Sequence, residues 1–515
     1  METIQENNLS VFLTPKQAWD ELRRYEAVYY RKYSAVYSGG RHELAATAEA
    51  GSFWYRNGKC RIHVPIAADI AATSSDLLFS EEPRFTCFDE ETEDDNSEKQ
   101  SRLDELIALN NIHGLLNEAA ETCAILGDVY FKLSSRPDEV DHPILTITQG
   151  DCAWPEYVLG VLKCIHFFDI LKRDTQKGIV WRIYERYERG KITMAVFKGS
   201  MSDLGAEDGT GMLEQLGFEP EMETPIQDMM AVHVPNIRPN RMDRSSVHGR
   251  SDCDGLRGLM DSLDETYSSW MRDVRLAKAR LIVPAEYLRR KVSDMFKYNQ
   301  YTYEFDEDVE TLVALDIDPE HAGSSPITPS QFSIRSAEHA ATCSELIRNI
   351  VTIAGYAPQT FGIGIDGSAQ SGTALHIREK KSFNTQGKKQ TYWKSPLEQI
   401  MTAMIHLDAV LYAGKGSQIT DSVKVHFADN MANDISTTST ALDLLNRATA
   451  ISTELKVQML HPDWTKKQIA EEVERVKNEA GLAVDEPDMM LGDLDNPNAG
   501  EGGSNGGDGG QEGDE

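Results

Sequence analysis

Gly362, Gly364 and Gly367 in the segment FGIGIDG match the spacing Gly-x-Gly-x-x-Gly. In a dinucleotide-binding turn those glycines let backbone amides meet a pyrophosphate at a helix start. That chemistry needs a strand before the motif and an acidic residue about 20 positions after it, on the ribose. Here a helical segment and the turn Gly355 to Pro358 precede it, and the residue that far beyond Gly367 is Gly387. A loop between two helices fits the context better than a nucleotide site. His339 and Cys343 lie one helical turn apart and can share a metal, but no third ligand is evident. Core packing is the expected role of Cys343. The run Asp89 to Asp95 has acids at all positions but Thr92, without the alternating oxygens and turn glycine of a calcium loop, and reads as a solvated connection. The seven cysteines are an odd number with no Cys-x-x-Cys pair, so reduced thiols are expected rather than a disulfide framework or zinc site. His-Glu-x-x-His, Gly-x-Ser-x-Gly and Walker A patterns do not occur. The residues therefore predict no catalysis, no cofactor and no metal.

A basic segment, REKKSFNTQGKKQTYWK, is the other group with chemical potential. Arg378, Lys380, Lys381, Lys388, Lys389 and Lys394 face only Glu379 there, in a chain of net charge −31. Two readings stay open: contact with DNA phosphates, or ion pairing with an acidic neighbour in an oligomer, with the interface slightly favoured. The charge of the whole disfavours tight nucleic-acid binding, since phosphates are gripped by Lys and Arg. A surface that lets DNA slide past benefits from the same repulsion.

The elements that must position these residues follow from hydrophobic periodicity. The sequence predicts a first helix over 14–38, from Thr14 and Pro15 to Gly39, and a second after the entry RIHVP, stopping before Pro83. A helix over 101–126 leads into strand-like segments at VYFKL, 144–148, 161–171, 179–187 and 191–197. Residues 199–228 read as a long loop or insertion. Leu256, Leu259, Met260, Leu263, Tyr267, Trp270, Met271, Val274 and Leu281 form one stripe of a long helix over 251–282. Ser251 and Asp254 fit its start and Pro284 its end. At about 1.5 Å per residue it would span roughly 40 Å, a strut. Arg257, Asp261, Asp264, Arg272, Arg275 and Lys278 make its charged face.

Beyond it, TYEFDED, TLVALDI and SQFSIR alternate as strands within 302–335. A helix over Ser336–Ala354 stops at Gly355, and a third helical stretch over 373–413 is expected to bend or break at Pro396. VKVHFAD reads as a strand, followed by helices at 436–457 and 465–480. From Asp485 to Glu515 the chain holds ten acids and no Lys or Arg, and is expected to be disordered. The N-terminus lacks signal-peptide features and no apolar run reaches a membrane span, so a cytosolic α+β protein of more than one domain is expected.

Taken in order, these pieces resemble the portal proteins of long-tailed phages of Gram-positive bacteria, over nearly all of residues 15–480. The resemblance is carried by VPIAADIAATSSDLLFSEEP (64–83), by the segment from Gly249 to Pro284, and by IAGYAPQTFGIGIDGSAQSGTAL (353–375). It implies an α+β portal fold with a mixed α/β wing (1–248), a stem helix (249–282), a small β-rich clip (283–335) and a second stem helix (336–354). A tunnel loop (355–372), a long wing helix with a return strand (373–435) and crown helices (436–484) would follow. It further implies a dodecameric ring at a capsid vertex, passing double-stranded DNA and docking a terminase motor, then a head–tail adaptor, among capsid and scaffolding proteins. On that resemblance Gln359, Phe361, Gly362, Gly364, Gly367 and Gln370 face the DNA, while Leu256, Leu263, Tyr267, Trp270 and Val274 pack the stem. The virion would be its place, and the host cytoplasm during assembly. Two alternatives are an NAD-dependent oxidoreductase built on the glycine motif and a non-viral oligomeric scaffold.

Overall fold

The computed structural model describes residues 12–40, 44, 46, 62–87, 97–209, 211–277, 280–282, 289–292, 301–304, 328–330, 333–363, 372–412, 422–427, 435–448, 450–461 and 466–479. The chain divides into two units, Met1–Met431 and Ala432–Glu515.

In the first unit, the opening helix Pro15–Tyr25 starts from a capping box, with Thr14 and Gln17 each accepting from the other's backbone amide. It continues through a π-turn, Glu26–Tyr30, into Arg31–Ser38 and ends at Gly39 in the left-handed region. Ala18, Leu22, Tyr29 and Tyr33 are buried along it, as the spacing predicts. The second helix is Ile66–Phe79. In place of one helix over 101–126 there are two, Ser97–Leu109 and Ile112–Leu126. Asn111 sits at φ 48° between them. The Asn110 side chain donates to Leu106 O and Pro143 O and accepts from Leu145 N, so local side-chain bonding breaks the helix.

Strand β1 (Arg84–Thr86) pairs antiparallel with the return strand β15 (Lys424–His426). Strands β2 (Asp128–Ser134), β3 (Ile144–Gln149) and β10 (Ala231–Pro235) form a sheet in the order β10-β2-β3. The larger antiparallel sheet holds β4 (Ala153–Val158), β5 (Val161–Asp174), β6 (Ile179–Glu188), β7 (Lys191–Gly199) and β8 (Ala206–Glu207), with β9 (Glu221–Glu223) also on β7. Residues 199–228 are therefore an extension of this sheet with one short helix, Met212–Gln215, and not merely a long loop. Within 280–335 two short antiparallel pairs are described: β11 (Arg280–Ile282) with β14 (Thr328–Ser330), and β12 (Arg289–Val292) with β13 (Tyr301–Glu304). The predicted strand TLVALDI lies outside the described residues.

The mid-chain helix runs Arg257–Leu276, shorter than expected. Its start is Leu256 with no side-chain cap, because Ser251 and Asp254 are used elsewhere: Tyr33 donates to Asp254 at 2.8 Å, and Ser251 Oγ accepts from Cys253 N at 3.2 Å. At about 1.5 Å per residue the helix is roughly 30 Å long. Its charged face also departs from expectation, since Arg257, Asp261 and Asp264 are buried. Arg257 donates to Leu44 O, and Asp264 accepts from Val64 N (2.8 Å) while pairing with His63 (2.7 Å), so Arg257 and Asp264 hold neighbouring chain.

The returning helix Ser336–Ala354 matches the prediction at both ends and packs on the mid-chain helix. The long helix Gly372–Leu411 runs unbroken through Pro396, where a bend or break was predicted. Trp393, Leu397, Ile400, Met401 and Met404 are all buried around that proline, in the core formed with β2 and β10, so packing outweighs the one lost backbone hydrogen bond. In the second unit, Ile435–Arg447, Thr453–Leu460 and Lys466–Glu479 are helices around Val457, Ile469 and Val473. The predicted helix 436–457 is thus two, with Ser452 accepting from Leu455 N to cap the second. The acidic tail lies outside the described residues.

Candidate functional site

The connection between the returning and long helices is tied to the body by one face of the long helix. Ser382, Thr385 and Lys389 recur at helical spacing and are all buried. Ser382 Oγ accepts from Ala357 N at 2.8 Å and shares a 2.8 Å hydrogen bond with Thr360 Oγ1. Thr385 Oγ1 donates to Gly355 O at 2.6 Å. Lys389 Nζ donates to Asp252 Oδ2 and to Ser74 Oγ, each at 2.5 Å. Tyr356, buried just past the returning helix, donates its hydroxyl to the same Asp252 oxygen at 2.7 Å, and Asn236 donates to the other at 2.8 Å. The root 355–361 is therefore held by the long helix and by Asp252.

Gly355 is required at the helix end. Its φ of +113° is a left-handed conformation, and a Cβ there would stand 3.0 Å from Thr385 Oγ1. After it, Pro358–Phe361 forms a 3-10 turn ending at Gly362, φ 71°. No strand precedes Gly362; a helix and this turn do, which leaves the first glycine of the dinucleotide motif in the wrong context. Gly364, Gly367 and Gln370 lie outside the described residues. Gln359 is half-buried and Gly362 exposed. Phe361 packs against the core beside Tyr356, ring centroids 6.1 Å apart, so much of its apolar surface is already used within the chain.

The basic set does not stay together. Lys389 is a correction: only 1% of its side chain is exposed, its ammonium is spent on Asp252, and it cannot meet DNA or a neighbour. Arg378, Lys380, Lys381, Lys388 and Lys394 are exposed on the long helix. The Lys381 ammonium caps Thr352 O, near the negative end of the returning helix. Of the stem set, Leu256 and Leu263 are buried in the core, Tyr267 and Trp270 are half-buried, and Val274 is 40% exposed. His339 donates toward Asp273 at 3.0 Å and Cys343 is buried in the core, so the two do not face one metal.

Two buried hubs were not anticipated from the sequence. Asp128, at the start of β2, takes His233 Nε2 and Gly249 N on one oxygen, both at 2.8 Å. Tyr30 OH (2.8 Å) and His248 Nδ1 (3.1 Å) take the other. Burial alone would raise its carboxyl, but His248 and His233 outweigh that and hold it well below the usual carboxylate range. Four donors thus occupy the acceptor directions of the Asp128 carboxylate, while His248 Nε2 stays buried without a hydrogen-bond partner. Arg102 and Asp408 form a second hub through Nη2–Oδ1 (2.7 Å) and Nε–Oδ2 (3.1 Å), anchoring the far end of the long helix. No sequence signal links these partners, which lie 98 to 306 positions apart.

Comparisons with known proteins place this arrangement. A family model described as "Phage portal protein, SPP1 Gp6-like" matches residues 21–483. None of the curated proteins compared matches. Among solved structures, a chain of "Neck of native GTA particle computed with C12 symmetry" is 11% identical, with 82% of this chain and 92% of that chain covered, at a TM-score of 0.38. A chain of "Virion of native gene transfer agent (GTA) particle" is 9% identical, covering 84% and 93%, also at 0.38. Scores this low carry no functional argument. The family match spans the mid-chain and returning helices, the clamped root and the long helix, and by it the chain belongs to the SPP1 Gp6-like family of phage portal proteins.

Proposed function

We propose that this chain is the subunit of a twelve-membered ring at one capsid vertex, through which double-stranded DNA is packaged and later ejected. The family match over residues 21–483 carries this reading. The mid-chain and returning helices are its stem, residues 283–335 its clip and 355–372 its tunnel loop, with Gln359 and Gly362 toward the channel. Twelve copies of a chain of net charge −31 would repel the duplex from all sides and offer few contacts whose release is slow. The role is structural: a terminase large subunit hydrolyses ATP, and a head–tail adaptor takes its place on the clip. Major capsid and scaffolding proteins surround the ring in the virion.

Exposed Arg378, Lys380, Lys381, Lys388 and Lys394 then pair with acidic neighbours in the ring. Lys388→Glu with Lys394→Glu is expected to weaken ring assembly; intact rings with defective packaging would instead assign the stripe to DNA. Electron microscopy of the purified protein tests the whole reading. Rings with a central hole are expected, and compact particles without one would overturn it.

A further inference from the structure

The larger sheet brings together three side chains that no function above uses. Antiparallel register sets Glu156 of β4 opposite Cys164 of β5, and the period of two puts His166 on the same face as Cys164. The register of β4 shifts between Glu156 and Tyr157, a bulge of the kind that re-aims a side chain. The result is a triangle: Cys164 Sγ to His166 Nε2 is 3.4 Å, Cys164 Sγ to Glu156 Oε2 is 3.5 Å, and His166 Nε2 to Glu156 Oε2 is 3.3 Å.

We propose that Glu156, Cys164 and His166 form a mononuclear zinc site. Zinc bonds of about 2.3 Å to sulfur, about 2.0–2.1 Å to imidazole and about 2.0–2.2 Å to carboxylate, arranged tetrahedrally, place neighbouring ligand atoms about 3.3–3.6 Å apart. All three sides of the triangle fall in that range. A plain imidazole–carboxylate hydrogen bond does not explain the spacing as well. Among the described residues the other imidazole–carboxylate hydrogen bonds run from 2.6 Å at His406 to 3.1 Å at His142 and His248, and only the more exposed ion pair of His113 with Glu82 is longer, at 3.6 Å.

The surroundings fit a ligand set. His166 Nδ1 meets the hydroxyl of buried Tyr184 at 2.8 Å, the outer contact that fixes a metal-bound imidazole and leaves Nε2 for the ion. A thiolate and a carboxylate neutralise the two charges of the ion inside the fold, and nearby Arg186 is already paired with Glu188 at 3.0 Å. His166 is fully buried, whereas 16% of the Glu156 side chain is exposed, which gives the ion an entry and leaves the fourth position to water. Glu156 Oε2 also accepts from Leu13 N at 3.1 Å, and the Phe12 ring lies 4.9 Å from the Arg186 guanidinium. The ion thus fastens the approach to the first helix onto the sheet.

The test uses the untagged full-length chain, freed of metal by a chelator and titrated with zinc chloride, then with cobalt chloride. One zinc per chain, a thiolate-to-cobalt charge-transfer band and a rise in Tm on zinc addition are expected. Cys164→Ser should abolish the band, Glu156→Gln should remove the Tm rise, and Tyr184→Phe should weaken zinc affinity about 10- to 100-fold. Far-UV circular dichroism confirms that each variant folds. Absence of zinc binding by the folded wild-type chain, or a cobalt band that persists in Cys164→Ser, would overturn the proposal.

Discussion

Lys389→Met is the most direct probe of the clamp at the loop root. In the native chain Lys389 and Asp252 are each 1% exposed and 2.5 Å apart. The methionine fills most of the lysine stem volume but leaves the Asp252 carboxylate buried, with only Tyr356 and Asn236 donating to it. Removing one partner of a buried pair destabilises by about 3–5 kcal/mol, because the remaining charge is uncompensated. Unfolding entropy of about 2.1 cal/mol/K per residue, over the unit Met1–Met431, turns 4 kcal/mol into a fall in Tm of about 4 °C. The paired change Asp252→Asn with Lys389→Met removes both charges and should recover at least half of that loss. The assay is calorimetry at fixed protein concentration, since ring formation would otherwise shift Tm by mass action. Hydrogen exchange at Ala357, whose amide is held by Ser382, reports the root separately. A single variant melting within 1 °C of wild type, or a double variant as damaged as the sum of the two singles, would refute the clamp.

Three further outcomes follow from particular contacts. Burial would lower the His63 imidazole, but its hydrogen bond and charge contact with Asp264 outweigh this and raise it, so its stabilisation is complete below about pH 6.5 and is lost as pH rises through the folded value. Asp264→Asn should therefore lower Tm more at pH 6 than at pH 9, and an equal loss at both would count against the charge contact. Gly355→Ala forces a Cβ into the left-handed region against Thr385 and should destabilise by about 1–2 kcal/mol in thermal melts, with no loss meaning that the turn relaxes freely. Val274→Asp, at an exposed position of the mid-chain helix, should leave the subunit folded by circular dichroism while preventing rings in micrographs, whereas Leu263→Asp, in the core, should unfold it.

What the sequence disclosed was local. Ser336–Ala354 was legible because an apolar stripe and a glycine stop lie within the segment itself. The start of the mid-chain helix was not: Ser251 and Asp254 carry a capping pattern, but Tyr33 and Cys253 take their oxygens first. Strand β4, AWPEYV, hid behind Pro155, which weakens a strand signal. The same limit applied to the site. Lys389 stood out as one base among six, while its partner Asp252 lies 137 positions away and leaves no trace in spacing.

These distant pairs bear on how the long helix keeps its register against the rest of the unit. Its amphipathic pattern is weak over its length, and apolar packing alone resists a slide of one turn poorly where residues of similar size replace each other. The charges resist it specifically. Lys389 must meet Asp252 near the middle of the helix and Asp408 must meet Arg102 near its C-terminal end, so a shift of one turn would strand two buried pairs at once. Neutral replacement of both pairs by well-packed residues need not unfold the protein, but it would remove this register lock. The buried ion pairs are therefore better understood as fixing the position of the helix than as adding to stability.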